Sequence, residues 1–125
     1  MNIKATDSEL EILNVLWKQG TATVREVHEE LAKTKDAGYT TTLKLMQIMY
    51  DKGLVDRDAT AKTHIYKAIV TQGQAQQNAL DKIISTVFEG STADLVIQAL
   101  GNHRASNEEI DAIKKYLQQF DQDKK

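Results

Sequence analysis

Cysteine is absent from the 125 residues, and so is proline. Without cysteine there is no disulfide framework and no thiolate metal site, which fits a reducing compartment. Without proline, nothing forces a helix break by that route. Only one Trp, four Tyr and two Phe are present, so the core has to be mostly aliphatic. No run approaches the roughly 18 apolar residues of a membrane-spanning helix. The N-terminus lacks the apolar stretch of a secretion signal. The expectation is a soluble, cytoplasmic protein without membrane insertion. Catalytic signatures are missing as well: no phosphate-cradling glycine loop and no Ser–Gly nucleophile elbow occur. Asp56 and Asp58 imitate a carboxylate pair, but strand alternation puts both on one solvent face. His28, His64 and His103 have no metal-ligand spacing. No enzyme activity, metal or cofactor is expected.

Hydrophobic residues make up 41% of the chain, which supports a packed core. The formal net charge is −2, whereas a nucleic-acid-binding domain is often strongly basic. The deficit is unevenly placed. Residues 1–70 carry ten Lys/Arg and ten Asp/Glu, while residues 71–125 carry six and eight. Between 59 and 70, Lys62, His64 and Lys67 stand with no acid among them. A local basic patch is therefore available even though the whole chain is acidic.

Glycine does the punctuation. Thr6 and Glu9 have capping-box spacing, and Leu10, Leu13, Val15, Leu16 and Trp17 recur at helical spacing, so a helix is expected over Asp7 to Gln19. Gly20 stops it. Thr23 and Glu26 repeat the box ahead of Val24, Val27 and Leu31, which places a short helix from Val24 to Lys33. A third helix is expected from Thr40 to Lys52, with Leu45, Met46 and Met49 inward and Gly53 as the stop. Leu54-Val55 and Ile65-Tyr66 are β-prone, and the segment Asp58 to Lys62 between them reads as a hairpin turn. Tyr66 is expected in the core. Further on, glutamines and alanines lead into Leu80, Ile83, Ile84, Val87 and Phe88, an amphipathic helix expected to end at Gly90. Another runs from Thr92 to Leu100 with Ser91 as cap. Ser106 and Glu109 cap a last helix, after which the terminal residues 121–125 should fray.

The stretch from Gly38 to Ala68 carries the chemistry. No acid occurs between Ala37 and Tyr50, so the helix there can lie against a polyanion without repelling it. Thr40, Thr41, Lys44 and Gln47 fall on one helical face. Gln can pair in two places with an adenine edge, and Thr offers a hydroxyl and a methyl to a base. One threonine has to cap the helix, and Thr40 is the favoured cap, leaving Thr41 as the first reader. Arg25 begins the second helix, where a phosphate is favoured; pairing with Glu29 is the equal alternative. Thr23 can donate to a phosphate, although capping is its first task. Arg57, Lys62 and Thr63 surround the hairpin and fit a wing on the DNA backbone; for His64 a plain polar turn is the better reading.

These residues also resemble a known family. Ser8-Glu9-Leu10-Glu11-Ile12-Leu13 with Val15-Leu16-Trp17, the run Gly20 to Val27, Tyr39-Thr40-Thr41 with Leu43, and Lys52-Gly53-Leu54-Val55 with Tyr66 are similar to the penicillinase-repressor family of bacterial transcription regulators. The resemblance spans nearly the whole chain. It implies a mainly α protein: a winged helix–turn–helix of three helices and a short β-hairpin wing, then a C-terminal helical dimerisation module. It further implies repression at a palindromic operator on double-stranded DNA, and a membrane metallopeptidase sensor as a partner. Two positions depart from the family pattern. Ile48 stands where an arginine is usual, which removes one phosphate contact, and Thr42 replaces a usual valine. The switches of the family do not transfer. The Asn-Phe cleavage pair is replaced by Gln98-Ala99, and the cysteine-rich tail of copper-responsive members is missing.

The expected organisation is a DNA-binding domain over 1–70 and a helical module over 71–125. The apolar residues Leu80, Ile83, Ile84, Val87, Phe88, Leu95, Val96, Leu100, Ile110, Ile113, Leu117 and Phe120 line the module. Helices this short are marginal alone, and a two-fold dimer would cover them. The reading that follows is a homodimeric, sequence-specific DNA-binding repressor. The alternative is a helical protein-interaction adaptor that keeps the winged frame without reading DNA.

Overall fold

Local capping pairs set the helix starts. In the computed structural model, which describes residues 5–60 and 62–123, helix α1 spans Asp7–Gln19. The Thr6 oxygen accepts from the Glu9 N–H at 3.2 Å, and Glu9 Oε1 accepts from the Thr6 N–H at 2.9 Å. Gly20 ends the helix at φ +84°, a backbone setting that side chains with a Cβ rarely adopt. Ala22–Thr23 then forms a short strand, β1. Thr23 caps helix α2, Val24–Ala32, through the same reciprocal pair with Glu26.

Helix α3 spans Tyr39–Asp51 and begins one residue earlier than expected. Its cap is Gly38, and no side chain closes the start. Thr40 therefore does not cap it. The Thr42 hydroxyl instead donates back to the Gly38 carbonyl at 3.4 Å, and Thr42 itself is buried. Strands β2, Val55–Asp58, and β3, Ile65–Ala68, form the hairpin. Its turn lacks a glycine, and Asp58 compensates. Asp58 Oδ1 accepts from the Thr60 hydroxyl at 2.6 Å and from the Thr60 N–H at 2.9 Å, an Asx-type closure. Those bonds, the hydroxyl first, hold the Asp58 carboxyl below its ordinary pKa. Ala61, in the expected turn, and Lys124 and Lys125, in the tail expected to fray, lie outside the described residues.

The hairpin is not a free two-stranded ribbon. β1 adds to it, giving the antiparallel order β1-β3-β2, with Ala22 opposite Tyr66 and Arg57 opposite Tyr66 on the other side. This third strand welds the wing to the start of α2. The core beneath it holds Ile12, Leu13, Leu16, Val27, Met46, Met49, Val55 and Tyr66, each at most 1% exposed. Trp17 Nε1 donates to the Val70 carbonyl at 3.0 Å, which fixes the chain leaving the sheet.

The chain divides into two compact units, residues 1–80 and 81–125. Helix α4 spans Gln72–Thr86; it takes in the glutamine and alanine lead before Leu80 and ends ahead of Val87 and Phe88, short of the expected end at Gly90. Thr71 and Gln74 cap it reciprocally, at 3.0 and 3.1 Å. Ala75, in its first turn, belongs to the buried core of the first unit. Helix α5 is Thr92–Leu100, capped by Ser91, whose oxygen accepts from the Asp94 N–H at 3.1 Å. Helix α6 is Asn107–Asp123, capped by Ser106 with Glu109. It continues through Asp121 to Asp123, where fraying was expected. No helix among the described residues is long and apolar enough to cross a membrane. Among the described residues beyond Ala75, none is buried.

Candidate nucleic-acid interface

Helical periodicity alone divides α3 into two sides. Thr42, Met46 and Met49 go into the core. Thr40, Thr41, Lys44, Gln47, Ile48 and Asp51 are exposed. At 100° per residue, these six occupy one continuous outer strip of the helix. Its first two turns present hydroxyls, an ammonium and an amide without an acid. Asp51, at the C-terminal end, is the single acid of α3. The first backbone N–H groups of α3 have no side-chain cap, so they remain available to water or an anion.

Two aromatic contacts frame the helix. Tyr39, its first residue, meets His28 of α2 edge-to-face, with ring centroids 5.6 Å apart and planes at 83°. Near the other end, the Arg57 guanidinium lies 4.0 Å over the Tyr50 ring. The Tyr66 hydroxyl first, then Tyr50 and Asp51, hold Arg57 above its ordinary pKa, so its positive charge is secure. Arg57 is thus half-covered and seated on α3. In the sequence, Tyr39 figures only in the family-like Tyr39-Thr40-Thr41 block, without a contact role, and Tyr50 is not singled out. Tyr39 precedes the expected helix start, and Tyr50 gains its role only when β2 folds across it.

The wing closes on the same side. A cleft of about 320 Å³ is lined by Val24, Tyr39, Leu43, Gln47, Lys62, Thr63, His64 and Tyr66. It brings Gln47 of α3 together with Lys62 and Thr63 of the wing, three residues singled out on sequence grounds. His64, read as a plain turn residue, also lines it. Lys62 and Thr63 are exposed and Thr23 is half-buried. Thr23 faces Ile65 in the β1–β3 register, so the cap of α2 sits at the base of the wing. Arg25 is exposed at the start of α2 and, among the described residues, forms no ion pair with Glu29. The arrangement is a polar, acid-poor edge on α3, flanked by the wing and by the first turn of α2. No group of His, Asp and Glu among the described residues could hold a metal ion.

The frame is held from behind by an ion pair. Lys52, the C-cap of α3, places Nζ 2.6 Å from Glu9 Oε1 in α1. Burial by itself pushes the Glu9 carboxyl up, but Lys52 and the Thr6 N–H together bring it below the ordinary carboxylate value.

Comparison with known proteins agrees with this geometry. A family model described as penicillinase repressor matches residues 5–119. The chain is 25% identical over 112 residues to the methicillin resistance regulatory protein MecI of Staphylococcus aureus, covering 90% of this chain and 91% of MecI. It is 23% identical over 120 residues to the penicillinase repressor of Bacillus licheniformis, covering 96% and 94%. With the transcriptional regulator BlaI of Mycobacterium tuberculosis it shares 25% over 117 residues, covering 92% and 83%. Among solved structures, a cysteine-to-serine mutant of MarR from E. coli superimposes with a TM-score of 0.52 at 15% identity, covering 94% of this chain and 78% of MarR. The same mutant in complex with operator DNA gives 0.50 at 15% identity, covering 94% and 76%. These likenesses show the winged helix–turn–helix fold.

Proposed function

From a chain that belongs to the penicillinase-repressor family, whose members are transcriptional repressors rather than enzymes, we propose a homodimeric repressor that reads a palindromic operator with α3. One observation carries this reading: Thr41, Lys44 and Gln47 are all exposed on the outer strip of α3, with the wing's Lys62 and Thr63 beside Gln47. Thr41 and Gln47 meet base edges, and Lys44 meets a base or phosphate. Thr40 adds a hydroxyl, free of any capping duty. Arg25, Lys62, Thr63 and the outer edge of Arg57 settle the register on phosphates, with Thr23 at the base of the wing. The reading domain is the winged-helix part of the first unit, over 1–70.

The dimer rests on the second observation that no described residue beyond Ala75 is buried. Val87, Ile97, Leu117 and Phe120 are 67, 67, 55 and 48% exposed. Apolar helices in that state call for a partner surface. A second copy would cover Leu80, Ile83, Ile84, Phe88, Leu95, Val96, Leu100, Ile110 and Ile113 with them. It would also present two reading helices to half-sites about 34 Å apart. A membrane metallopeptidase sensor is the upstream partner that goes with this reading, and the cytoplasm is its compartment.

The test is a gel shift on a duplex selected from random DNA. Replacing Thr41, Lys44 and Gln47 together by Ala should cost on the order of a hundredfold or more in affinity, with the circular dichroism melt unchanged. Unchanged affinity in the triple variant would show the site assignment to be wrong. Selection of a strong protein partner with no preferred DNA would favour the adaptor reading instead.

A further inference from the structure

We infer that Ile48 sets part of the sequence preference, by placing its apolar side chain against a thymine methyl in the major groove. The inference rests on the repressor reading above and deepens it. Ile48 is 39% exposed in the middle of α3. It is not among Leu43, Leu45 and the other half-buried apolar residues packed on the core. Its neighbours on the outer strip are polar: Lys44 one turn back, Thr41 two turns back and Asp51 one turn ahead. The two exposed tyrosines of α3 are engaged, Tyr39 by His28 and Tyr50 by Arg57.

An isoleucine can neither donate nor accept a hydrogen bond. Inside a strip that faces base edges, it would bury donors and acceptors without satisfying them unless the facing group is itself apolar. The major groove offers one such group, the C5 methyl of thymine. Flanked by Lys44 and Thr41, Ile48 is placed to discriminate thymine from the other three bases at one operator position.

Wild-type protein is first used to select a preferred duplex from a random library. Each thymine of that duplex is then replaced singly by deoxyuridine, which removes the methyl and leaves the pairing intact. One replacement should weaken wild-type binding about fourfold, the loss expected when one methyl leaves an apolar contact. Ile48→Ala should bind the thymine duplex several-fold more weakly and be indifferent to that same replacement. Ile48→Val, which keeps a branched apolar surface, should still sense the methyl. Because Ile48 lies outside the core, both variants should melt like the wild type. If the wild type tolerates every deoxyuridine, or if Ile48→Ala remains as sensitive as the wild type, the inference fails while the repressor reading stands. If no preferred duplex can be selected at all, the repressor reading fails and takes the inference with it.

Discussion

Replacing Lys52 by Met tests whether the reading helix is anchored from behind as the structure indicates. Lys52 Nζ lies 2.6 Å from Glu9 Oε1, with the Glu9 side chain 2% exposed and that of Lys52 32%. Lys52→Met leaves a buried carboxylate with the Thr6 N–H as its remaining donor. A hydrogen bond to a charged group contributes about 1.5–3 kcal/mol. Partial exposure of the ammonium argues for the lower half of that range, so the expected cost is about 2 kcal/mol. For a unit of this size, about 2 kcal/mol corresponds to a drop in melting temperature of roughly 10 °C.

The pH dependence gives the stronger check. Glu9 titrates below its ordinary value of 4.5 in the folded protein. A carboxyl with a depressed folded pKa stabilises above its unfolded pKa, and that contribution disappears as pH falls through the folded value. In Lys52→Met the chief lowering influence is gone, burial dominates, and the Glu9 pKa should rise. The variant then gains on the wild type as Glu9 takes up a proton. Thermal melts should therefore show the full gap at pH 7 and a much smaller one at about pH 3.5. Glu9→Gln retains an acceptor for Thr6 and should be milder than Lys52→Met at neutral pH. Identical melts at pH 7, or a gap that persists undiminished in acid, would refute the argument.

A helix cap and the exposed C-terminal face give two further outcomes. Thr23→Ala removes the oxygen that accepts from the Glu26 N–H at 3.2 Å, which should cost about 1 kcal/mol in a denaturant melt, with Thr23→Ser restoring most of it. Leu117→Asp combined with Phe120→Asp puts two charges on exposed apolar positions of α6; if the proposed homodimer buries this face, sedimentation equilibrium should show its dissociation constant raised at least about tenfold, and an unchanged constant, or a monomeric wild type, would refute that placement.

The parts of the fold that were legible are those written in short-range chemistry. Thr6 with Glu9, Thr23 with Glu26, and Ser106 with Glu109 each join residues three apart, so their helix starts follow from local sequence alone. Thr71 with Gln74 obeys the same rule using an amide, and it starts α4 ahead of the apolar stretch. Strand β1 is different in kind. Two residues cannot display a period, and its partner Tyr66 lies far along the chain. The hairpin was visible from its β-prone runs, but its attachment to α2 was not. The cleft containing Gln47, Lys62 and Thr63 lies beside that attachment, and Arg57 reaches Tyr50 because β2 folds across α3.

The start of α3 shows why a local rule failed where it did. A threonine-rich opening predicts a threonine cap, yet Gly38 takes the extended cap conformation at φ −81°, ψ 146°, and Tyr39 enters the helix. The Tyr39 ring is engaged with His28, a contact between α2 and α3 that holds Tyr39 in the helix's first turn. Thr42 is drawn into the core, and Thr40 and Thr41 are left on the surface. A side-chain cap is worth about 1 kcal/mol, and α3 does without it. What the helix gains is an N-terminus whose amides and two hydroxyls face outward together. Departures from local preference concentrate at functional surfaces. The uncapped start of α3, followed two turns later by the exposed Ile48, is such a departure on the element that the repressor reading requires to touch DNA.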